Sequence, residues 1–365
     1  MKSVVVLGGY GNFGRRIVAA LAREQNCRVF VCGRDAQKAK QIADQEAGSA
    51  EPLALDCHAP DFSDSLLRIA PSLVVHTAGP FQGQTYAVPR ACIAARAHYI
   101  DLADGHAYVC GIRALDQEAR HSDVLVASGA SSLPALSSAV VDRLRTGFSR
   151  IESIDHGITS GARPPGRATM EGVLAYAGKR LTQWSNGEWH TEYGWQGIAR
   201  QHYPSPVNAR WIAHCDVPDL ELFPERYAPV NTVRFRGGVG PEMSMFGLWL
   251  ASWLVRLRVL PSLEHFVPIL HHVASGFAPI GSKCSAMHVT VRGRDGTGNP
   301  ACRTWYLLAG RDHGPHIPTF PAIALARKLL RGEVLARGAM PCMGLLTVSD
   351  ILSVGDGLDL RVVER

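Results

Sequence analysis

Six residues near the amino terminus, Gly9-Tyr10-Gly11-Asn12-Phe13-Gly14, restrict this chain more than any other segment. They follow Val4-Val5-Val6-Leu7, a β-branched run of strand character, and lead into Phe13–Gln25, whose apolar residues recur at helical spacing. A GxGxxG pattern between a strand and a helix is the phosphate-binding turn of a dinucleotide site. Gly9 permits the tight turn, Gly11 lets the backbone approach a pyrophosphate, and Gly14 lets helix and strand pack closely. The helix N-terminus supplies free N–H groups and a positive dipole. Tyr10, Asn12 and Phe13 are counted with the glycines as cofactor-binding. A glycine-rich turn that binds nothing is the competing reading, and the flanking strand and helix weigh against it.

The rest of the first half repeats this unit. Strands are expected at Ser3–Leu7, Arg28–Cys32, Pro52–Asp56, Leu73–Thr77, Tyr99–Leu102 and Val124–Ala127, and helices at Phe13–Gln25, Asp35–Ala47, Thr85–Ala97 and His106–Arg120. Alternation of this kind builds a parallel sheet covered by helices on both faces, here a doubly wound Rossmann domain. At 365 residues the chain exceeds one comfortable core, so two domains are expected. Beyond about residue 130 the rhythm changes. Ile151–Ile158 and Val230–Arg236 read as strands, and Ser285–Gly293 and Arg303–Arg311 flank a glycine-rich hairpin turn at residues 295–299. The expected architecture is α/β: a Rossmann cofactor-binding domain over 1–130, an α+β domain with a mixed sheet over 131–319 for substrate and dimerisation, and a tail over 320–365 packing back on the first domain.

An NAD-specific domain presents Asp or Glu at the end of its second strand for the ribose 2′-hydroxyl. Here that place reads Cys32-Gly33-Arg34. A guanidinium suits a 2′-phosphate, with Lys38 one helical turn on as a second cation, which favours NADP over NAD. Asp35 is either a helix N-cap or a ribose partner that would admit NAD. Asp56 closes the third strand, within reach of the adenine edge or as a turn former. Ala78, Gly79 and Pro80 follow the fourth strand at the carboxyl edge of the sheet, where small residues leave room for the nicotinamide ribose.

These residues resemble the saccharopine dehydrogenase and reductase-like family. The likeness lies in Val75–Phe81 with its Ala-Gly-Pro-Phe ending, in Ala91-Cys92-Ile93, in His98-Tyr99-Ile100-Asp101-Leu102, in the glycine loop and in Gly33-Arg34. It covers residues 1 to about 135. The resemblance implies a Rossmann domain joined to a mixed α/β substrate domain, a tail that returns to the first domain, and hydride-transfer chemistry. The family's Asp-Leu-x-Gly-Glu stands here as Asp101-Leu102-Ala103-Asp104-Gly105, and its amino-acid carboxylate clamps are not recognisable, which argues against saccharopine as substrate.

Hydride transfer to a carbonyl or imine also needs a proton donor. His76, Tyr99 and Asp101 lie near the carboxyl ends of the fourth and fifth strands and are the candidates in the first domain. Each has an alternative as a core histidine, a packing residue or a turn cap. In the second domain, Gly161–Thr169 runs through a Gly/Pro loop into a helix, and Arg163 and Arg167 either clamp an anion or are solvated arginines on a connector. No HxxxH, HExxH or CxxC spacing is present, so no metal is expected.

Lys and Arg are scattered, so the formal charge of +6 argues for an anionic small molecule and against nucleic acid. Nine cysteines without a CxxC pair, several in apolar runs (Cys27, Cys32, Cys92), read as reduced thiols. The chain opens on a strand with no signal peptide and no run long enough to span a bilayer, which points to the cytoplasm. The most apolar stretch, Met243–Leu260 with Ser262–Phe277, surrounds a helix that needs burial. A homodimer interface ranks first, a core helix second and a membrane-surface element third. The leading expectation is an NADP-dependent oxidoreductase acting on a small or lipid-like molecule, against a nucleotide-binding partner or sensor without chemistry.

Overall fold

The computed structural model describes residues 1–46, 49–277 and 281–365, with strands numbered along the chain. It divides into two compact units, Met1–Leu136 with His316–Gly355, and Ser137–Pro315 with Asp356–Arg365.

The first unit is built on β1 (Lys2–Leu7), β2 (Cys27–Gly33), β3 (Ala50–Ala54), β4 (Leu73–His76), β5 (His98–Asp101), β6 (Leu125–Ser128) and β15 (Gly338–Pro341). The order across the sheet is β15-β6-β5-β4-β1-β2-β3, and every pairing is parallel. Val4, Val5 and Val6 have no exposed surface, as expected of a central strand covered on both faces. The chain reverses direction across the sheet between β1 and β4, which is where open α/β sheets bind ligands. Ala47, the expected end of the second helix, lies outside the described residues; the helix itself is Ala36–Ala43.

Two expectations are corrected here. The single helix expected over His106–Arg120 is a helix His106–Gly111, a 3₁₀ turn Ile112–Leu115 and a helix Asp116–His121. The first segment ends on Gly111, a poor helix former, which the Tyr86 hydroxyl approaches so closely that a Cβ there would lie 2.6 Å from it. The strand β15 has no β-branched residue to announce it and is recruited to the open edge beside β6. In the same unit the Phe320–Arg331 helix packs on the Gly14–Leu21 helix, and Glu24 pairs with Arg327 at 2.8 Å and Arg331 at 3.3 Å.

The second unit carries β7 (Phe148–Thr159), β8 (Arg180–Ser185), β9 (Glu188–Tyr193), β10 (Ala199–His202), β11 (Ala209–His214), β12 (Thr232–Gly238), β13 (Ser285–Asp295), β14 (Pro300–Ala309) and β16 (Leu360–Glu364). Its sheet runs β10-β11-β12-β7-β13-β14-β16. It is mixed, because β12 and β7 are parallel while the other neighbours are antiparallel. The turn joining β13 to β14 is held by the Asp295 carboxylate, which accepts from the Thr297 and Asn299 amides. One face of this sheet is the core. Here His156 stacks on Phe223 with ring centres 5.2 Å apart. Its Nε2 meets Asp219 at 2.9 Å, and Ser137 Oγ donates to the same carboxylate oxygen at 2.6 Å.

Among the described residues no helix is long and apolar enough to cross a membrane. The apolar helix is Glu242–Arg256, and the core placement, ranked second for it, is met only along one side. Only Met245, Ser252 and Val255 of it are buried, because it packs on β11 through one side, where Gly178 admits the Ser252 carbonyl and Val255.

Candidate functional site

The glycine loop leaves β1 through Gly8, whose φ of +74° belongs to a region that side chains disfavour. A Cβ at Gly8 would stand 2.8 Å from Thr77 Oγ1. The turn therefore depends on Gly8 as well as on Gly9, to which the sequence assigned it. Gly9 is needed for packing, since its Cβ would stand 2.8 Å from Val31 Cγ1, and one on Gly14 would overlap the Gly8 carbonyl. At Gly11 the only neighbour a Cβ would meet is the Gly8 oxygen at 3.0 Å, so the outer side of this turn is open. The following helix, with Phe13 at its N-cap, has no side-chain cap. The Arg15 and Arg16 amides bond to the Gly11 and Phe13 carbonyls at 3.1 Å each, and the positive end of the helix dipole lies at this loop. Asn12 is turned along the helix, its Oδ1 accepting from Arg16 at 3.0 Å.

The end of β2 is fastened to this loop. The Tyr10 ring lies against Gly33, where any Cβ would overlap it, and the Tyr10 hydroxyl accepts the Asp35 amide at 3.3 Å. Asp35 Oδ1 accepts the Gln37 and Lys38 amides at 3.1 and 3.0 Å, so this carboxylate is the N-cap of the Ala36–Ala43 helix. Those amide bonds and the Lys38 ammonium, 3.4 Å from Oδ2, hold its carboxyl below the usual range. Lys38 is thereby directed to Asp35, while Arg34 is exposed at the strand end. Asp56 Oδ1 accepts the His58 amide at 3.0 Å, the bond of a turn former.

The segment after β4 is braced from both sides. Thr77 Oγ1 donates to the Leu7 carbonyl at 2.8 Å. Gln84 Nε2 donates to the carbonyls of Ala78 and Pro80 at 3.0 and 2.7 Å. Ala78, Gly79 and Pro80 are thus fixed beside the glycine loop, because the Ala78 amide lies 3.1 Å from the Gly8 Cβ position.

His76, Tyr99 and Asp101 are brought together, but in the interior, each with no exposed surface. His76 Nδ1 and the Tyr99 hydroxyl are 2.9 Å apart, and that hydroxyl is 3.2 Å from the Tyr108 hydroxyl. Burial pushes the His76 imidazole down to about 3, so the ring is neutral. Asp101 Oδ1 accepts from the Ala103 amide at 2.9 Å, the Ser128 hydroxyl at 3.0 Å and the Gly129 amide at 2.7 Å. Burial nevertheless raises its carboxyl from 3.8 to about 6. The Asp101 carboxylate stitches the end of β5 to the turn after β6.

In the second unit Arg163 and Arg167 are both exposed, Arg167 at the first residue of the Arg167–Ala175 helix. The opposite face of the sheet there carries a second buried cluster, Tyr203, Val207, Ala286, Tyr306 and Leu308, with charged groups beside it. Asp155 on β7 lies 3.9 Å from Arg236 on β12 and 3.7 Å from His288 Nε2 on β13. His288 Nδ1 meets the Tyr203 hydroxyl at 3.0 Å. Burial opposes the Asp155 charge, but the nearby His288 imidazole and Arg236 guanidinium outweigh it and keep this carboxyl low. Burial also holds the His288 imidazole below its usual value. The arrangement is a half-buried carboxylate beside a buried imidazole that is hydrogen-bonded to a buried phenol.

Residues 4–127 match the saccharopine dehydrogenase NADP binding domain. That stretch is similar to this family's cofactor-binding domain. The whole chain is similar in fold to the apo saccharopine dehydrogenase (L-Glu forming) of Saccharomyces cerevisiae, at 14% identity over all of both chains with a TM-score of 0.71. It is also similar to homospermidine synthase of Legionella pneumophila in complex with NAD, at 11% identity over all of this chain and 91% of that one, with a TM-score of 0.60. No curated protein sequence matches the chain.

Within the matched stretch, sequence reasoning missed Gly8, Gly33, Thr77 and Gln84 as the residues that shape the loop. Gly8 was open to detection as a second glycine in the same turn; Thr77 and Gln84 act through long-range bonds with no local pattern. In the second unit it noted Asp155 within Asp155-His156-Gly157 but gave it no role, and it missed Tyr203, Arg236 and His288. A signal existed there: Asp155 and Gly157 on β7, and Arg234 and Arg236 on β12, alternate with apolar residues at the spacing of one strand face.

Proposed function

We propose that the chain is an NADP(H)-dependent oxidoreductase of saccharopine dehydrogenase-like type acting on a small molecule other than saccharopine. The observation that carries the reading is the pair Arg34 and Asp35. The carboxylate that would hold a ribose 2′-hydroxyl is engaged as a helix cap, and an exposed guanidinium stands at the strand end instead. The open side of Gly11 and the uncapped helix behind it fit a pyrophosphate.

When bound, the nicotinamide supplies the hydride. The protein's part is to bind and orient it: the Gly14–Leu21 helix N-terminus and the loop amides on the pyrophosphate, Arg34 on the 2′-phosphate, and Ala78, Gly79 and Pro80 beside the ribose. The interior His76, Tyr99 and Asp101 act as positioning residues that fix the ends of β4 and β5. In the second unit, Asp155, His288 and Tyr203 are the candidate proton-handling groups and Arg163 and Arg167 are exposed cations that suit an anion. A homodimer formed through the Glu242–Arg256 helix belongs to the same reading.

The alternative, a nucleotide sensor without chemistry, draws on the complete burial of the first-unit proton donors. NADPH oxidation across a panel of small carbonyl and imine compounds separates the two. Turnover that is lost in a folded Gly11→Val variant, whose side chain would fill the open side of the loop, supports the enzyme. Cofactor binding without turnover of any compound supports the sensor.

A further inference from the structure

Gln82, in the segment after β4, and Asp104, in the segment after β5, meet at the carboxyl edge of the first sheet. Gln82 Nε2 donates to Asp104 Oδ1 at 3.3 Å. The two segments run close together here, since a Cβ at Gly105 would lie 3.4 Å from the Gln82 amide nitrogen. Both stand on the β4–β5 side of the point where the strand order reverses, the half of the crevice that the proposed function gives to the nicotinamide. Asp104 is exposed and Gln82 half-buried, and among the described residues Gln82 Oε1 is buried without a hydrogen-bond partner. A buried acceptor left unpaired is costly, and this one is placed to receive an N–H or O–H of a bound molecule.

Reduction of a carbonyl or imine needs a proton at the atom that takes the electron pair. His76, Tyr99 and Asp101 have no exposed surface and so touch no substrate. Two hydroxyls of this edge are already committed: Thr77 Oγ1 donates to the Leu7 carbonyl and the Tyr86 hydroxyl to the Tyr108 carbonyl, both at 2.8 Å. Among the described residues between the ends of β4, β5 and β6 and the helices that follow them, Asp104 is the one carboxylate. It opens to solvent on one side, while the protein around it raises its carboxyl above the ordinary 3.8, against the Gln82 bond, which lowers it. A raised carboxyl keeps its proton closer to neutral pH, as a general acid must.

We infer that Asp104 is the proton donor of the reaction and that Gln82 positions it. The substrate carbon takes the hydride of bound NADPH, which leaves as NADP+, and the substrate oxygen or nitrogen takes the Asp104 proton. One carbonyl or imine double bond is thereby converted to a single bond with a new C–H and a new O–H or N–H. The exposed Asp104 carboxylate recovers its proton from water. This assignment rests on the NADP(H)-dependent reduction of the proposed function and places the donor in the unit that holds the glycine loop, ahead of Asp155, His288 and Tyr203.

Titration of the full chain and of Asp104→Asn with NADPH and with NADP+ at pH 8, beside NADPH turnover, tests it. The oxidised nicotinamide ring is cationic, so a carboxylate next to it favours NADP+. Asp104→Asn should therefore weaken NADP+ binding relative to NADPH binding by up to about fivefold, the worth of an exposed charge pair. Its kcat should fall by about a hundredfold or more, the contribution of a general acid. Asp104→Glu should restore the nucleotide ratio but not the full rate, because its carboxyl lies one methylene further out. Gln82→Met should keep the ratio and lower kcat by roughly tenfold or more, the effect of a donor held out of place. An Asp104→Asn variant with the parent's nucleotide ratio, or with turnover within a few-fold of the parent's, overturns the assignment; unchanged turnover returns the proton to the second-unit groups and leaves the oxidoreductase reading standing. A parent that binds both nucleotides and reduces no compound overturns the donor together with the enzyme reading, and a parent that binds neither overturns the cofactor reading as well.

Discussion

The Tyr10 hydroxyl accepts the Asp35 amide at 3.3 Å and so fastens the glycine loop after β1 to the end of β2. The ring that spans this distance lies flat against Gly33, which has no side chain to displace it. The glycine loop and the Arg34-Asp35 end of β2 are therefore one mechanical unit.

Gly33→Ala should break this unit. Its Cβ would occupy the space of the Tyr10 ring, and overpacking of this kind costs about 1 to 3 kcal/mol. Thermal melting should show that loss, and titration should show weaker NADPH binding. Gly33→Ala combined with Tyr10→Ala should recover most of the stability, since the ring that clashes is gone. An unchanged melting temperature in the single variant contradicts the packing described for Tyr10.

Asp101 gives a pH dependence with a definite sign. Its folded carboxyl lies at about 6 against an ordinary 3.8, so the native state holds a proton that the unfolded chain has released. Stability from this group is present below about pH 4 and is lost as pH rises through 6, by up to about 3 kcal/mol at 1.36 kcal/mol per unit. Asp101→Asn keeps an acceptor oxygen for Ala103, Ser128 and Gly129 but cannot ionise. Denaturant unfolding at pH 4 and pH 7 should show the balance between variant and parent moving toward the variant by that amount. A pH-independent difference refutes the shift.

Arg163→Ala and Arg167→Ala should leave stability within about 0.5 kcal/mol, because both side chains are exposed. Their effect should fall on kcat/KM with whichever compound the NADPH panel identifies. Unchanged kinetics would return the segment to the role of connector.

How far the sequence reveals this protein depends on how local each feature is. The glycine loop, six of the seven strands of the first sheet and the Asp35 cap were legible because strand, turn and helix signals lie within a few residues of one another. The 295–299 turn was legible for the same reason, its Asp and Gly residues setting the backbone. What was hidden arises from distant pairings. Strand β15 is held by β6, more than two hundred residues earlier. Gln84 braces Ala78 and Pro80 through a side chain with no local signature. The cluster of Asp155, Tyr203, Arg236 and His288 exists only once four segments meet. The all-round apolarity of the Glu242–Arg256 helix suggested burial, yet the fold covers one side and leaves Met243, Phe246, Leu250 and Leu254 exposed.

The central claim is that Arg34 selects the phosphorylated cofactor, and paired titrations of the parent and of Arg34→Ala with NADPH and NADH test it most directly. Loss of a charged hydrogen bond is worth about 1.5 to 3 kcal/mol, or roughly 10- to 150-fold in affinity. The account predicts that the parent binds NADPH more tightly than NADH, and that the substitution weakens NADPH binding by that factor while leaving NADH binding nearly unchanged. Equal affinities in the parent, or a variant that still prefers NADPH as strongly, would contradict it.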